Sequence, residues 1–229
     1  MTRSESSDRS WDSSGPVWTI VVAGGSGHRY GGDKQLAELG RKRVLDHSLT
    51  VASSVSDGVV LVVTEDRVRA EQGSADAVVA GGTTRSASVR RGLAAVPDDA
   101  AVIVVHDAAR PLTPASAFTR AIDLVRAGAP AAITAIAVVD TLKRVEDSFV
   151  VETLDRSSLV AVQTPQAFRA DVLRAAHTSD SDATDDAGLV EALGFTVSVV
   201  DGDVRSQKLT TPDDLAILEA FLNDQPEAP

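Results

Sequence analysis

The chain predicts an α/β fold: a three-layer, Rossmann-like, mainly parallel sheet with helices on both faces and a β-hairpin that leaves the sheet. Three observations carry this. Continuous β-branched runs recur from Val17 onward without polar alternation, the mark of strands buried on both faces. Longer stretches with helical spacing separate them, as parallel strands require. The pattern breaks once, over residues 140–160, where strand-like residues flank a polar turn.

VWTIVVA (17–23) reads as the first buried strand, followed by a glycine-rich loop and the helix RVLDHSLTVASSV (43–55). GVVLVVT (58–64), ADAVVA (75–80) and AAVIVVH (100–106) read as the next three strands, with the helix TTRSASVRRGLAAV (83–96) joining the last two. AAITAIAVV (131–139) is a fifth strand, and DTLKRVEDSFVVETLDR then folds back at its Glu-Asp-Ser turn into the hairpin. Helices near 170–177 and 184–193, the strand FTVSVV (195–200) and a helix from Thr211 to Leu222 complete the reading, with no internal repeat. This gives one domain over 16–224, a Ser/Asp/Arg-rich and disordered tail over 1–15, and a short tail over 225–229. In such sheets ligands bind at the carboxyl ends of the strands. The glycine loop, Gly81-Gly82, His106-Asp107 and Asp140-Thr141 should therefore converge on one edge.

A chain of 229 residues with 43% hydrophobic and 24% charged residues can bury a proper core. Its net charge of −11 argues against a general grip on nucleic acid or anionic membrane. An anionic ligand would have to be held by individually placed cations. The absence of cysteine excludes disulfides, thiolate catalysis and Cys-based zinc sites. The start, MTRSESSDRSWDSSGP, lacks a signal-peptide core, and no apolar run approaches the ~18 residues of a membrane span. These features lead us to expect a soluble cytoplasmic protein.

The loop VVAGGSGHRYGGDKQ (21–35) places five glycines beside Arg29 and Lys34. Bare backbone admits a ligand closely and exposes N–H groups, while the cations supply charge, which together suit a phosphate. A dinucleotide fingerprint fails, because the register from Gly25 and Gly27 meets Tyr30 at its third position. A P-loop fails as well, because Lys34 lies between Asp33 and Gln35. The remaining alternatives are a glycine-rich turn with solvated cations and a different phosphate-handling loop.

Ala23-Gly24-Gly25-Ser26-Gly27-His28-Arg29, followed by Lys34-Gln35, resembles the nucleotidyltransferase signature. GGTTRSASVRRGL (81–93), VHDAARPL (105–112), DTLKR (140–144), RSSLVAVQTPQAF (156–168), ATDDA (183–187) and KLTTPDDL (208–215) follow in the order found in the cytidylyltransferases. From Val17 to Leu222 the chain resembles the 2-C-methyl-D-erythritol 4-phosphate cytidylyltransferase family. The resemblance implies CTP and a sugar-alcohol phosphate as substrates. It also implies in-line attack on the α-phosphate, Mg²⁺ as cofactor, and a homodimer in which the hairpin arm reaches the neighbouring site.

By that resemblance Arg29 and Lys34 stabilise the transition state on the triphosphate, and Arg156 and Lys208 position the sugar phosphate. Ala23, Gly24, Gly25 and Gly82 meet cytosine through backbone groups, Asp107 holds Mg²⁺, and Arg110 contacts the phosphorylated substrate. Ser88 offers the nucleotide a hydroxyl, but equally reads as part of a helix start. Thr141, Thr164 and Thr184 match substrate-facing hydroxyls and read as well as strand or cap residues. His106 beside Asp107 is set aside as a general base, because a phosphomonoester nucleophile is already ionised at neutral pH. His28, His47 and His177 take structural readings.

Two places depart from the family pattern: Arg205 stands where an acidic residue is usual three positions before Lys208, and the first loop carries Gly24 and Tyr30. The nearest carboxylates to the first are Asp201 and Asp203, which bears on a second metal contact. The rival readings are a ribitol-5-phosphate cytidylyltransferase and a catalytically silent nucleotide-binding paralogue. Lys143-Arg144 and the spacing of Arg156 before QTPQ favour the methylerythritol family, and the retained Arg29, Lys34 and Lys208 disfavour the silent paralogue.

Overall fold

The computed structural model describes residues 11–25, 30–178 and 182–224. Its centre is a seven-stranded sheet whose order along the sheet differs from the order along the chain. The strands are β1 (Val17–Val22), β4 (Gly58–Val63), β5 (Ala77–Ala80), β6 (Val102–Asp107), β7 (Ala131–Ala137), β10 (Val160–Arg169) and β11 (Val197–Asp201). Two two-stranded pieces stand apart from it: β2 (Glu38–Leu39) with β3 (Lys42–Arg43), and β8 (Lys143–Glu146) with β9 (Phe149–Thr153). The sheet order is β11-β7-β10-β6-β1-β4-β5, and every neighbour pair is parallel except those made by β10.

β4 and β6 are buried along their whole length. That matches their unbroken Val/Leu/Ile content and requires helices on both faces. One face carries α2 (Arg85–Leu93), α4 (Ala170–Ala176) and α5 (Asp186–Ala192), which pack Val89, Leu173 and Val190 over Ile20, Val62 and Phe168. The other carries α1 (Val44–Val55) and α3 (Ala115–Arg126), with Leu45, Leu49, Phe118 and Ile122 over Leu61, Val104 and Ala132. The last helix, α6 (Pro212–Asn223), closes a small core with Leu39, Leu112, Leu209 and Leu218.

The three-layer expectation holds, with two elements that carried none. Helix α3 buries Ala117, Phe118, Ala121, Ile122 and Val125 on one side, the i, i+3, i+4 spacing of a core-facing helix. Strand β10 runs antiparallel between β6 and β7 although QTPQ sits in its middle. A register shift between Val162 and Gln166 accommodates Pro165, which cannot donate to a ladder. The tail expectation changes at its end. Residues 1–10 lie outside the described residues, but Trp11 packs under the domain and donates its indole N–H to Ala101 O at 3.1 Å. Residues 225–229 also lie outside.

The hairpin stands where 140–160 predicted it, its turn at Asp147 and Ser148 taking positive φ of 46° and 69°. Every residue of β8 and β9 is exposed, including Phe149 at 76%. Among the described residues no helix is long and apolar enough to cross a membrane.

Candidate active site

Parallel pairing aligns the strand ends that build the site. Val22 of β1 faces Asp107 of β6 on one side and Val62 of β4 on the other, and Val63 faces Ala80 of β5. Ala23-Gly24-Gly25, Gly81-Gly82 and Asp107 therefore leave the sheet together. They open into a cavity of about 320 Å³ lined by Gly24, Gly25, Lys34, Gly82, Ser88, Asp107 and Lys208, with Gln35, Thr83, Thr84 and Arg85.

Seven of the expected residues thus share one wall. Gly82 belongs there for a steric reason, since a Cβ would come within 2.4 Å of Ala87 Cβ. Its N–H donates to Ser88 Oγ at 3.1 Å, and that hydroxyl donates to Thr84 O at 2.9 Å. The helix-start reading of Ser88 holds, since it ties the Gly81-Gly82 turn to the first turn of α2, and the residue also lines the cavity. Lys34 donates to Leu209 O at 2.8 Å, which fixes its ammonium at the cavity wall.

Among the described residues Asp107 is the one carboxylate on the lining, and its residue is 8% exposed. Lys208 Nζ meets Oδ2 at 2.6 Å and Arg85 Nε meets Oδ1 at 3.3 Å. Burial alone would raise this carboxyl, but Arg85, Lys208 and Arg110 outweigh it and hold it well below the ordinary carboxylate range. Arg85 was absent from the expected set, although it stands in the quoted GGTTRS segment. It runs on from Asp107 to the fully buried Asp186, with NH1 to Oδ2 at 2.7 Å. Its own pKa is raised, because Asp186 and Asp107 outweigh its burial.

Behind Asp107 lies a second network. Its N–H donates to Thr164 Oγ1 at 3.0 Å, and Thr164 Oγ1 lies 3.1 Å from His106 Nδ1. His106 Nε2 lies 3.3 Å from the Arg110 carbonyl, which can only accept. Nε2 therefore carries the proton, Nδ1 accepts from the threonine hydroxyl, and the ring is neutral. Burial pushes this imidazole down to about 4, opposed by Asp107 and by the hydrogen bond to the Arg110 carbonyl and reinforced by the Arg110 charge. Phe118 packs against the ring at 4.9 Å between centroids. His106 is thus a support for Asp107, in keeping with the reading that denied it a base's role.

Other expected residues stand apart from the cavity. Ala23 spends its N–H on Val62 O at 2.7 Å and lines a small side chamber. Arg110 anchors NH1 on Ser206 O at 2.6 Å, beside the turn that delivers Lys208. Thr164 is behind the wall, and Thr184 is exposed next to Asp185, the N-cap of α5. Thr141 and Arg156 are exposed at the base of the hairpin, where Arg156 NH1 donates to the Val139 carbonyl. Asp140-Thr141 follow β7 at the same edge of the sheet as Asp107, since β6 and β7 both pair antiparallel with β10, but they do not line the cavity of their own chain. Arg29 lies outside the described residues.

Arg205 does not face Asp107; its backbone N–H caps onto Asp203 Oδ1 at 2.8 Å and it borders a separate pocket with Lys42 and His47. Among the described residues no three carboxylate or imidazole groups gather as a ready metal site. The donor chemistry fits a divalent ion only in one way. Asp107 is ionised, faces the cavity and can give one oxygen, so the remaining ligands would come from a bound polyphosphate and water.

Residues 17–224 match the family model for 2-C-methyl-D-erythritol 4-phosphate cytidylyltransferase. The chain belongs to this family. The enzyme of that name from Nocardia farcinica is 43% identical over 222 residues, covering 93% of this chain and 96% of that one. A 4-diphosphocytidyl-2C-methyl-D-erythritol synthase crystal structure is 35% identical with a TM-score of 0.77, covering 91% of this chain and 98% of that one. The synthase from Anaerococcus prevotii superposes with a TM-score of 0.79 at 29% identity, covering 90% and 96%. Family members are cytidylyltransferases, so the glycine loop belongs to a nucleotidyltransferase family, in agreement with the failed dinucleotide fingerprint.

Because His106 is held neutral in the fold, the unfolded chain binds one more proton between its ordinary 6.5 and about 4. Stability from this group is present above pH 6.5 and is lost as pH falls through that window, up to about 3 kcal/mol. Urea unfolding at pH 7 and pH 5 should show the decline. His106→Gln, which cannot charge, should flatten it; an unchanged slope in the variant would reject the assignment.

Proposed function

We infer that the protein transfers a cytidylyl group from CTP to 2-C-methyl-D-erythritol 4-phosphate, yielding 4-diphosphocytidyl-2-C-methyl-D-erythritol and pyrophosphate for isoprenoid biosynthesis. The observation that carries the reading is the cavity wall that unites the glycine turn, Lys34, Asp107 and Lys208 in a chain of this family. The acceptor phosphate attacks the α-phosphorus, the P–O bond to the leaving pyrophosphate breaks, and no proton has to move. Negative charge grows on non-bridging and leaving oxygens, so the chain's task is to position and to neutralise.

Lys34, and Arg29 by resemblance, serve the triphosphate, and Lys208 serves the acceptor phosphate. Gly24, Gly25 and Gly82 offer backbone groups to the base edge, with Ser88 beside them. Asp107 would hold Mg²⁺, which when bound neutralises triphosphate oxygens. Arg110 supports the turn of Lys208 and adds positive field near Asp107. Thr164 holds the Asp107 backbone, and Thr184 borders the nearby start of α5. We place the protein in the cytoplasm, where CTP is available.

Thr141 and Arg156 are assigned to the site of a second copy. Val145, Phe149, Val150 and Val151 are all at least half exposed on a hairpin that is marginal by itself. Pairing two chains through their arms would cover those residues and carry both polar groups to the neighbouring cavity.

Purified protein with CTP, Mg²⁺ and the acceptor should release pyrophosphate, and a chelator should abolish the release. Equal turnover with ATP or GTP, or preference for ribitol 5-phosphate, would overturn the substrate reading. Lys34→Ala should lower kcat by ~10²-fold or more while the fold survives. A variant with only a raised KM would mark Lys34 as a ground-state contact. Mixing inactive Arg156→Ala with inactive Lys34→Ala should restore activity, since one composite site per heterodimer keeps both native residues. Subunit exchange without recovery would show that Arg156 serves its own chain.

A further inference from the structure

Arg85 does not end at the cavity. Its guanidinium joins Asp107 in the wall to Asp186, whose residue is 0% exposed at the first turn of α5. Asp186 gives its second oxygen to His177 Nε2 at 3.0 Å, at the end of α4. Lys208 completes the other end of the series on Asp107 Oδ2. Five ionisable side chains from distant parts of the chain thus run from the interior between α4 and α5 to the cavity wall.

A buried carboxylate is costly unless it is paired and hydrogen-bonded, and its removal leaves its partner uncompensated. Asp186 satisfies that demand for itself with both oxygens used. It also takes NH1 of Arg85, leaving Nε as the group that meets Asp107. NH2 of Arg85 is already buried without a hydrogen-bond partner among the described residues. Two anchors therefore fix the guanidinium. With one anchor gone, the fork is free to grip Asp107 with two donors, the preferred geometry of an arginine with a carboxylate. Asp107 would then turn away from Lys208.

We propose that Asp186 and His177 are positioning residues for the transfer: through Arg85 they set how Asp107 is shared, and so where the Lys208 ammonium stands. Neither touches the cavity. Asp186 holds Arg85 in a one-donor contact with Asp107, and His177 holds Asp186. The ammonium of Lys208 is then kept on Asp107, at the place from which it meets the acceptor phosphate. The kinetic part of this proposal rests on the functional reading above, while the placement of Lys208 does not.

The test reads both parts. Asp186→Asn should fold, lower kcat about tenfold, as expected for one broken link in a coupled network, and change the KM for CTP by less than about threefold. Without substrate, limited acylation followed by mass spectrometry should show Lys208 labelled several-fold faster than in the wild type, relative to the exposed Lys143. His177→Gln, which keeps a donor for Asp186, should retain activity and protection, whereas His177→Ala should lose both in part. Should Asp186→Asn fail to fold, His177→Ala carries the test, since loosening Asp186 should itself speed the labelling of Lys208 relative to Lys143.

Unchanged kcat and unchanged Lys208 labelling in a folded Asp186→Asn or His177→Ala protein would overturn the proposal. So would faster labelling of Lys208 and Lys143 alike, which marks general loosening. A wild-type protein inactive with CTP and the acceptor would refute the functional reading alone, because the labelling result stands without turnover.

Discussion

The carboxylate of Asp107 is enclosed at the end of β6, with Arg85 on one oxygen and Lys208 on the other. A lone carboxylate in that position would take up a proton, because burial penalises its charge. The surrounding cations reverse the outcome and are themselves held by it. Lys208 would otherwise be an ammonium standing beside an apolar strand end, and Arg85 a buried guanidinium with one partner. The wall of the cavity therefore stands or falls as a set. Replacing any member by an apolar residue leaves an unmatched charge, which costs more than the pair contributes.

The set is held in place from behind by neutral chemistry. Thr164 accepts from the Asp107 N–H and donates to His106, whose far nitrogen donates to the Arg110 carbonyl. That series fixes the backbone of Asp107 and of Arg110 without adding charge to a site already crowded with it. A protonated His106 would place a cation within the same cluster and remove the acceptor that Thr164 needs. The low basicity of the ring is thus part of the support, and it follows from burial against Phe118 and β6.

Much of this was legible because parallel strands buried on both faces write unbroken apolar runs, and the motifs fall at their carboxyl ends. Residues 17–22, 58–63 and 102–107 are such strands; Gly24 comes just after the first, Asp107 ends the third, and Gly82 comes just after the neighbouring β5. Strand β10 was not legible, because its central Gln-Thr-Pro-Gln reads as a turn and only a register shift lets it pass through the sheet. Helix α3 shows the apolar spacing of any core helix but carries no motif to draw attention to it. Arg85 and Asp186 were printed inside quoted motifs, yet nothing in one sequence says that α2 and α5 bring them within 2.7 Å. Their partnership is a property of packing. Thr141 and Arg156 present the reverse case, with motif residues legible in sequence and a location decided by the hairpin's departure from the sheet.

The charge of the whole chain gives the local cluster its meaning. At a net −11 the surface repels anions, including the polyphosphates and sugar phosphates that the cavity would receive. Among the described residues the lining reverses the sign locally, with Lys34, Arg85 and Lys208 against Asp107. An anion approaching from solvent therefore meets repulsion nearly everywhere and attraction at the ends of β1, β5 and β6. Val22 and Ala109 add apolar surface to that lining, and a low-dielectric wall strengthens the attraction. The same contrast disfavours a polyanion such as nucleic acid on physical grounds. Its many charges would have to lie across the acidic surface while only a few could enter one cavity.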